Sequence, residues 1–315
     1  MTNSLLHLAD NKSSSARIGQ VSGLSAWLSN HMSKIVISPS VLLIGIGVYG
    51  FMIWTGVISF TSSTMLPKYN LVGFDQYVRL WSNPIWLIAV KNIAIFASLF
   101  IVVSVSLGLL LAILLDQKLR AEGFLRTIYL YPMALSFIVT GTAWKWILNP
   151  GLGLEKLFHD AGWVTFKFDW LVNPDFAIFT IVIAGVWQSS GFVMALCLAA
   201  LRGVDGDIVK AARLDGAGPF QIYRKVVLPL LGPTFLTAFV ILVHQAVKSF
   251  DLVIALTSGG PGNSTQLPAT FMYTQTFGRN SMAIGAASAV MIFMTIFAII
   301  VPYLYSETRR NRDVY

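Results

Sequence analysis

Two groups of residues in this chain place hydrogen-bonding, aromatic and ionisable side chains at helical spacing. In Trp187-Gln188-Ser189-Ser190-Gly191-Phe192, Gln188 and Phe192 lie four apart and share a helix face. In the second group His244, Lys248 and Asp251 fall at i, i+4 and i+7, again one face, with Gln245 beside them. Such sets suit a polar solute that must exchange water for protein partners, rather than bond-making chemistry. Bond-making would require a nucleophile with its base, paired carboxylates or a metal constellation. The chain contains no His-Glu-x-x-His, no Gly-x-Ser-x-Gly and no Gly-x-x-x-x-Gly-Lys-[Ser/Thr]. Its single cysteine, Cys197, rules out an intramolecular disulfide framework and metal sites built from two or four cysteines, and the four histidines are dispersed. Gly259-Gly260-Pro261-Gly262-Asn263 reads as a turn, because it leads into a loop instead of joining a strand to a helix.

Both groups sit in a chain of 315 residues that is 56% hydrophobic and only 11% charged, too apolar for disorder or for an ordinary soluble domain. A helix needs about 20 apolar residues to cross the hydrocarbon core. Six runs qualify or nearly so: Ile35 to Phe60, Ile93 to Leu115, Thr127 to Leu148, Phe176 to Leu201, Val226 to Val247 and Asn280 to Ser306. Lipid offers no partners to unpaired backbone groups, so the fold class expected is all-α integral membrane with six transmembrane helices. Lys and Arg number fourteen on the side holding both tails and the second and fourth connections, against six on the other. By the positive-inside rule both termini are cytoplasmic, and the basic excess points to membrane orientation, with no nucleic acid among the expected partners. Lys145, between Trp144 and Trp146, reads as an interfacial anchor against the headgroups of membrane lipid. Residues 1–34 form a polar N-terminal tail without the apolar region or cleavage site of a signal peptide, 35–306 the bundle, and 307–315 a C-terminal tail.

The connection 202–229 reads as two short helices. Asp205 or Asp207 can cap the first, in which Ile208, Ala211 and Ala212 recur at helical spacing, and Asp215-Gly216 marks a turn. Gly218-Pro219 restarts the chain, Phe220, Tyr223 and Val227 form a second apolar stripe, and Pro229 ends it. This knob either fits a groove on another protein or packs on its own bundle.

The string Lys210-Ala211-Ala212-Arg213-Leu214-Asp215-Gly216-Ala217-Gly218-Pro219-Phe220, continuing to Leu228-Pro229-Leu230-Leu231, resembles the EAA motif of binding-protein-dependent ABC transporter permeases. The resemblance extends over roughly Ile35 to Ser306 and is to the carbohydrate-uptake branch. It includes Ala199-Ala200-Leu201-Arg202-Gly203-Val204 and Gly259-Gly260-Pro261. Arg126-Thr127-Ile128-Tyr129-Leu130-Tyr131-Pro132-Met133-Ala134 and Lys248-Ser249-Phe250-Asp251-Leu252 look most like glucose/mannose-type permeases. The resemblance implies a maltose-type fold in the bacterial inner membrane. It implies a second homologous permease subunit, an ATPase subunit dimer and a periplasmic sugar-binding protein as partners. ATP and Mg would be bound by the ATPase, with no cofactor on this chain. Asp207 to Tyr223 would dock in a cleft of the ATPase through Lys210, Ala211, Ala212, Asp215, Gly216, Ala217 and Phe220. Lys210 replaces the motif's glutamate, and a lysine cannot accept the salt bridge from a basic ATPase residue that the motif implies there.

For a sugar, the resemblance places substrate contacts at Gln188, Ser189 and Phe192, beside Trp187. Alternatively, Ser189 and Gly191 are small residues for helix contact and Gln188 is interhelical glue. His244, Lys248 and Asp251 are pathway candidates, since ionisable residues in a span face a protein interior or a water-filled cavity. Lys248 and Asp251 can equally form a structural pair. Trp163, Phe166, Phe168 and Trp170, with Pro261 to Pro268, offer either a landing surface for the binding protein or a cover over the bundle. The competing functions are a secondary transporter or channel acting without an ATPase, for which no internal repeat is visible, and a membrane enzyme, which lacks its constellation.

Overall fold

The computed structural model describes residues 23–117 and 120–312. Most of the expected N-terminal tail, including Lys12 and Arg17, lies outside the described residues, as do Lys118 and 313–315. The described chain is helical, with one isolated antiparallel bridge between Thr61 and Leu71. It divides into two units, residues 1–55 and 56–315. The first holds α1 (Gly23–Ile44), a π-helical turn Gly45–Gly50 and the start of α2 (Phe51–Ser59). Together they make the first apolar run, Val36–Ser59.

In the second unit follow α3 (Asp75–Trp81), α4 (Pro84–Asp116), α5 (Glu122–Leu130), α6 (Phe137–Ile147), α7 (Leu154–Asp160) and α8 (Ala177–Arg202). The series continues with α9 (Gly206–Leu214), α10 (Pro219–Ile222), α11 (Leu228–Leu230), α12 (Gly232–Val247), α13 (Phe250–Leu256), α14 (Pro268–Tyr273) and α15 (Met282–Arg312). Four helical runs are long and apolar enough to cross a membrane, and two bent helix pairs bring the number up to six if each pair is one span. The helix α8 is central: 72% of its most apolar window is buried, against 28% for α4 and 22% for α15. It packs along α4, where Gly108 allows the approach; a Cβ there would meet Val193 Cβ at 2.6 Å and the Met194 backbone at 2.9 Å. Phe96, Phe100, Ile181, Met194, Leu242, Leu252 and Leu256 fill the core around this crossing.

Three expectations are corrected. The second run begins nine residues earlier than Ile93, at Pro84, because Asn83 accepts a hydrogen bond from the Ile85 amide at 2.9 Å and Pro84 starts the helix. The third run is not one continuous helix: it bends by 103° between the 3₁₀ turn Tyr131–Ala134 and α6. Pro132 lies in that turn, Leu135 and Ser136 are extended, and the Ser136 hydroxyl accepts from the Val139 amide to restart the helix. In the fifth run, Pro229 does not end the preceding helical segment. Helical backbone continues to Leu230, and the 64° bend falls before Gly232, at the N-terminus where Pro233 needs no amide partner.

Candidate functional site

The connection between α8 and α12 is built from its caps. Asp205 accepts from the Asp207 amide at 2.9 Å and starts α9, as one of the two expected alternatives. At the other end Gly216 takes φ +81°. Its amide donates to the Arg213 carbonyl at 3.1 Å, and the Ala217 amide donates to the Ala212 carbonyl at 3.0 Å. This paired closure with a left-handed glycine is a Schellman cap, and it is why Asp-Gly makes the corner. The Gly218 amide then donates to Gln221 Oε1 at 3.3 Å as α10 begins.

Packing divides this loop into two faces. Ile222 and Val227 are buried, and Val209, Ala212, Ala217 and Tyr223 pack against the same core. Ala211, Asp215 and Gly216 are exposed, Phe220 is 75% exposed and Leu214 89%. The expected stripe of Phe220, Tyr223 and Val227 is therefore corrected to Ile222, Tyr223 and Val227. Residues Tyr223–Val227 form a π-helical turn, whose i→i+5 bonding shifts which side chains face inward. Lys210 Nζ donates to Asp207 Oδ1 at 2.8 Å, so its charge has a local partner one turn back. At the root of the loop Arg202 bonds Glu122 Oε1 at 2.7 Å and lies 3.8 Å from Asp116 Oδ1, joining the end of α8 to the end of α4 and the start of α5.

The polar run in α8 splits between interior and groove. Gln188 is buried, and its Nε2 donates to the Leu135 carbonyl at 2.7 Å, a backbone group freed by the break before α6. Its Oε1 is buried without a hydrogen-bond partner among the described residues. Ser189 donates to Gln245 Oε1 at 2.8 Å, tying α8 to α12, and Phe192 packs against the core. Gly191 lies against the Tyr129 carbonyl, where a Cβ has no room. Trp187 and Ser190 instead line a groove of about 740 Å³ between α4, α5 and α8, shared with Tyr129, Trp170 and Phe179. The Trp187 ring meets Trp144 edge-on at 5.8 Å.

The set on the fifth run is not carried by one helix. The last turn of α12 closes with the Lys248 amide on the His244 carbonyl at 3.1 Å; Lys248 and Ser249 then separate α12 from α13. His244, Lys248 and Asp251 are all exposed, and no ion pair joins Lys248 to Asp251 among the described residues. The three are not brought onto one continuous helical face.

The expected outer segments are more ordered than their composition suggests. Rings of Phe158, Trp163, Phe166, Phe168, Trp170 and Phe176 contact one another in series, with centroids 4.5 to 6.5 Å apart. His159 Nε2 lies 2.7 Å from the Phe166 carbonyl and Glu155 accepts from the Phe168 amide, holding α7 to this return strand of chain. The glycine-rich turn is fastened by a residue that sequence reasoning missed. Asn92 on α4 donates to the carbonyls of Ser264 and Gln266 at 2.8 and 3.0 Å. An amide side chain at the head of an apolar run is the signal that marks it.

Comparisons with known proteins agree with this architecture. Residues 104–310 match the family model described as a binding-protein-dependent transport system inner membrane component. A probable ABC transporter permease protein of Pyrococcus horikoshii is 42% identical over 269 residues, covering 85% of this chain and 92% of the relative. The xylose/arabinose import permease protein XacH of Haloferax volcanii is 34% identical over 276 residues, 86% of each chain. A crystal structure of a bacterial ABC transporter involved in import of the acidic polysaccharide alginate has the same fold, with a TM-score of 0.78 at 19% identity over 91% of this chain and 98% of that one. This chain therefore belongs to the binding-protein-dependent transport system inner membrane components: it is a multi-pass ABC transporter permease, a transport subunit and not an enzyme.

Proposed function

We propose that this chain is the permease subunit of an ATP-driven importer that moves a sugar, a monosaccharide such as glucose or mannose, after delivery by a periplasmic binding protein. The observation that carries the reading is the two-faced loop 202–229: its inner face is fixed in the bundle core, while Leu214, Asp215 and Gly216 form an exposed rim at its corner. Docked in a cleft of an ATPase subunit, this rim transmits closure of the ATPase dimer to α8 and α12. ATP binding draws the loops together and opens the pathway outward, and hydrolysis resets it. Counting each bent pair as one span gives six by length and composition, an even number that puts both termini on one side; the excess of Lys and Arg on that side makes it the cytoplasmic one, in a bacterial inner membrane. A second permease subunit is supported by His244, which is exposed in a helix of bilayer-crossing composition and needs a protein or aqueous neighbour instead of lipid. Gln188, Ser189, Phe192 and Trp187 remain the substrate-pathway residues on α8, with His244, Lys248 and Asp251 opposite the companion chain. The choice of monosaccharide rests on the stretches Arg126 to Ala134 and Lys248 to Leu252, and a relative named for xylose and arabinose is compatible with it.

The test is affinity isolation of the tagged chain from gently solubilised membranes, followed by ATPase assay with sugar-loaded binding proteins. Co-purification of a second permease and an ATPase, with turnover stimulated by glucose- or mannose-loaded protein, is the expected result. Isolation of the chain alone, moving solute in liposomes without ATP, would overturn the proposal.

A further inference from the structure

A groove of about 510 Å³ opens where α4 ends and the loop begins, lined by Ile113, Pro219, Phe220, Tyr223, Arg224 and Leu228. Ile113 lies three residues before the end of the apolar helix α4, which sets this groove at the boundary between hydrocarbon and water. Its walls are apolar apart from Tyr223 and the exposed cation Arg224, and Lys225 follows in the chain. Three of the nearby carboxylates are engaged, Asp116 and Glu122 with Arg202 and Asp207 with Lys210, while Asp215 at the corner of the loop is exposed and has no ion pair among the described residues. Arg224 has no ion-pair partner among the described residues. An apolar slot at the bilayer boundary beside an unpaired guanidinium matches a molecule with a hydrocarbon chain and an anionic oxygen-rich head.

We infer that this groove is a binding site for an anionic phospholipid, with its phosphate on Arg224 and an acyl chain along Ile113, Phe220 and Leu228. The site involves α4, α10 and the π-helical turn Tyr223–Val227, so bound lipid bridges the coupling loop to the membrane end of α4. In this arrangement Phe220, grouped by sequence with the ATPase contacts, faces lipid, and the ATPase is left with the Leu214–Gly216 corner. The inference concerns the loop that the proposed function uses, but lipid binding requires neither sugar nor ATP.

Native mass spectrometry of the purified full chain with phosphatidylglycerol and phosphatidylcholine tests it. Wild-type chain is expected to retain phosphatidylglycerol about fivefold over phosphatidylcholine, the preference set by one basic residue near a membrane surface. Arg224→Gln should abolish that preference while leaving phosphatidylcholine retention unchanged, and Arg224→Lys should keep most of it. Arg224→Lys also serves as the folding control, and millimolar inorganic phosphate should not displace the lipid. Equal retention of the two lipids by wild type, a preference that survives in Arg224→Gln, or displacement by phosphate alone would overturn the site. So would an assembled complex in which an ATPase subunit covers Phe220 and Arg224 and excludes the lipid. Loss of lipid selectivity with intact sugar-stimulated ATPase would leave the transport reading standing.

Discussion

Gly216→Ala isolates the contribution of one backbone conformation to the loop 202–229. Gly216 has φ +81°, and no atom lies within 4 Å of an ideal Cβ built on it. The substitution therefore adds no clash, and its cost is that of holding an L-residue in left-handed backbone, about 1–2 kcal/mol. The corner is exposed and is closed by two hydrogen bonds, Gly216 amide to Arg213 and Ala217 amide to Ala212, so this energy appears as local opening. A cost of about 1–2 kcal/mol corresponds to roughly 5–30-fold more of the open form. Hydrogen exchange of the Ala217 amide in nanodiscs should accelerate by that factor, with α8 amides unchanged. Gly216→Asn should fall between wild type and Gly216→Ala, since asparagine tolerates this conformation better. The internal control is Gly206→Ala, which also has open space around its Cβ but lies in the first turn of α9 without positive φ. There alanine should be neutral or stabilising by up to about 1 kcal/mol, and exchange unchanged or slower. Equal effects of the two alanines, or none at Gly216, would refute the argument that the corner depends on a left-handed glycine.

Three further outcomes follow from contacts in the bundle. Gly191→Ala forces a methyl against the Tyr129 carbonyl and should lower stability by about 1–3 kcal/mol, read as a reduced Tm in detergent; unchanged Tm would mean α5 and α8 separate without cost. Asn92→Leu removes the donor to two loop carbonyls, an expected loss of about 1–3 kcal/mol that should show as faster proteolysis between Ser258 and Leu267 and not elsewhere. Gln188→Ala frees the Leu135 carbonyl, so both uptake kinetics and Tm should change; altered uptake at constant Tm would assign Gln188 to substrate and not to the bend.

Much of the architecture was legible in one dimension because lipid imposes a simple rule: apolar runs long enough to satisfy their own backbone become helices. The six runs, the Asp-Gly corner and the cap at Asp205 all follow from local composition and local hydrogen bonding. Hydropathy could not show the breaks. A window averaged over about 20 residues does not register two extended residues at Leu135 and Ser136, so the third run read as straight. The helix α14 escaped for a related reason, being six residues long and stabilised by packing against α15 and α4 more than by its own pattern.

Candidate residues divide along the same line. That Gln188, Ser189 and His244 are polar groups within apolar runs is a property of the sequence, and so are the motif spacing around Gly216 and the lysine at position 210. Their partners are set by packing. Gln188 meets a carbonyl 53 residues away and Ser189 meets Gln245 across two helices, while Asn92 reaches a turn more than 170 residues along the chain. The expected i, i+4, i+7 set of His244, Lys248 and Asp251 is divided between two helices because α12 ends at Val247, and Phe220 turned outward because the following turn is π-helical. Local propensity and bilayer thickness decide which residues enter helices. Which polar groups become glue, which line a groove and which project to a partner depends on bends and crossings that only the packed chain defines.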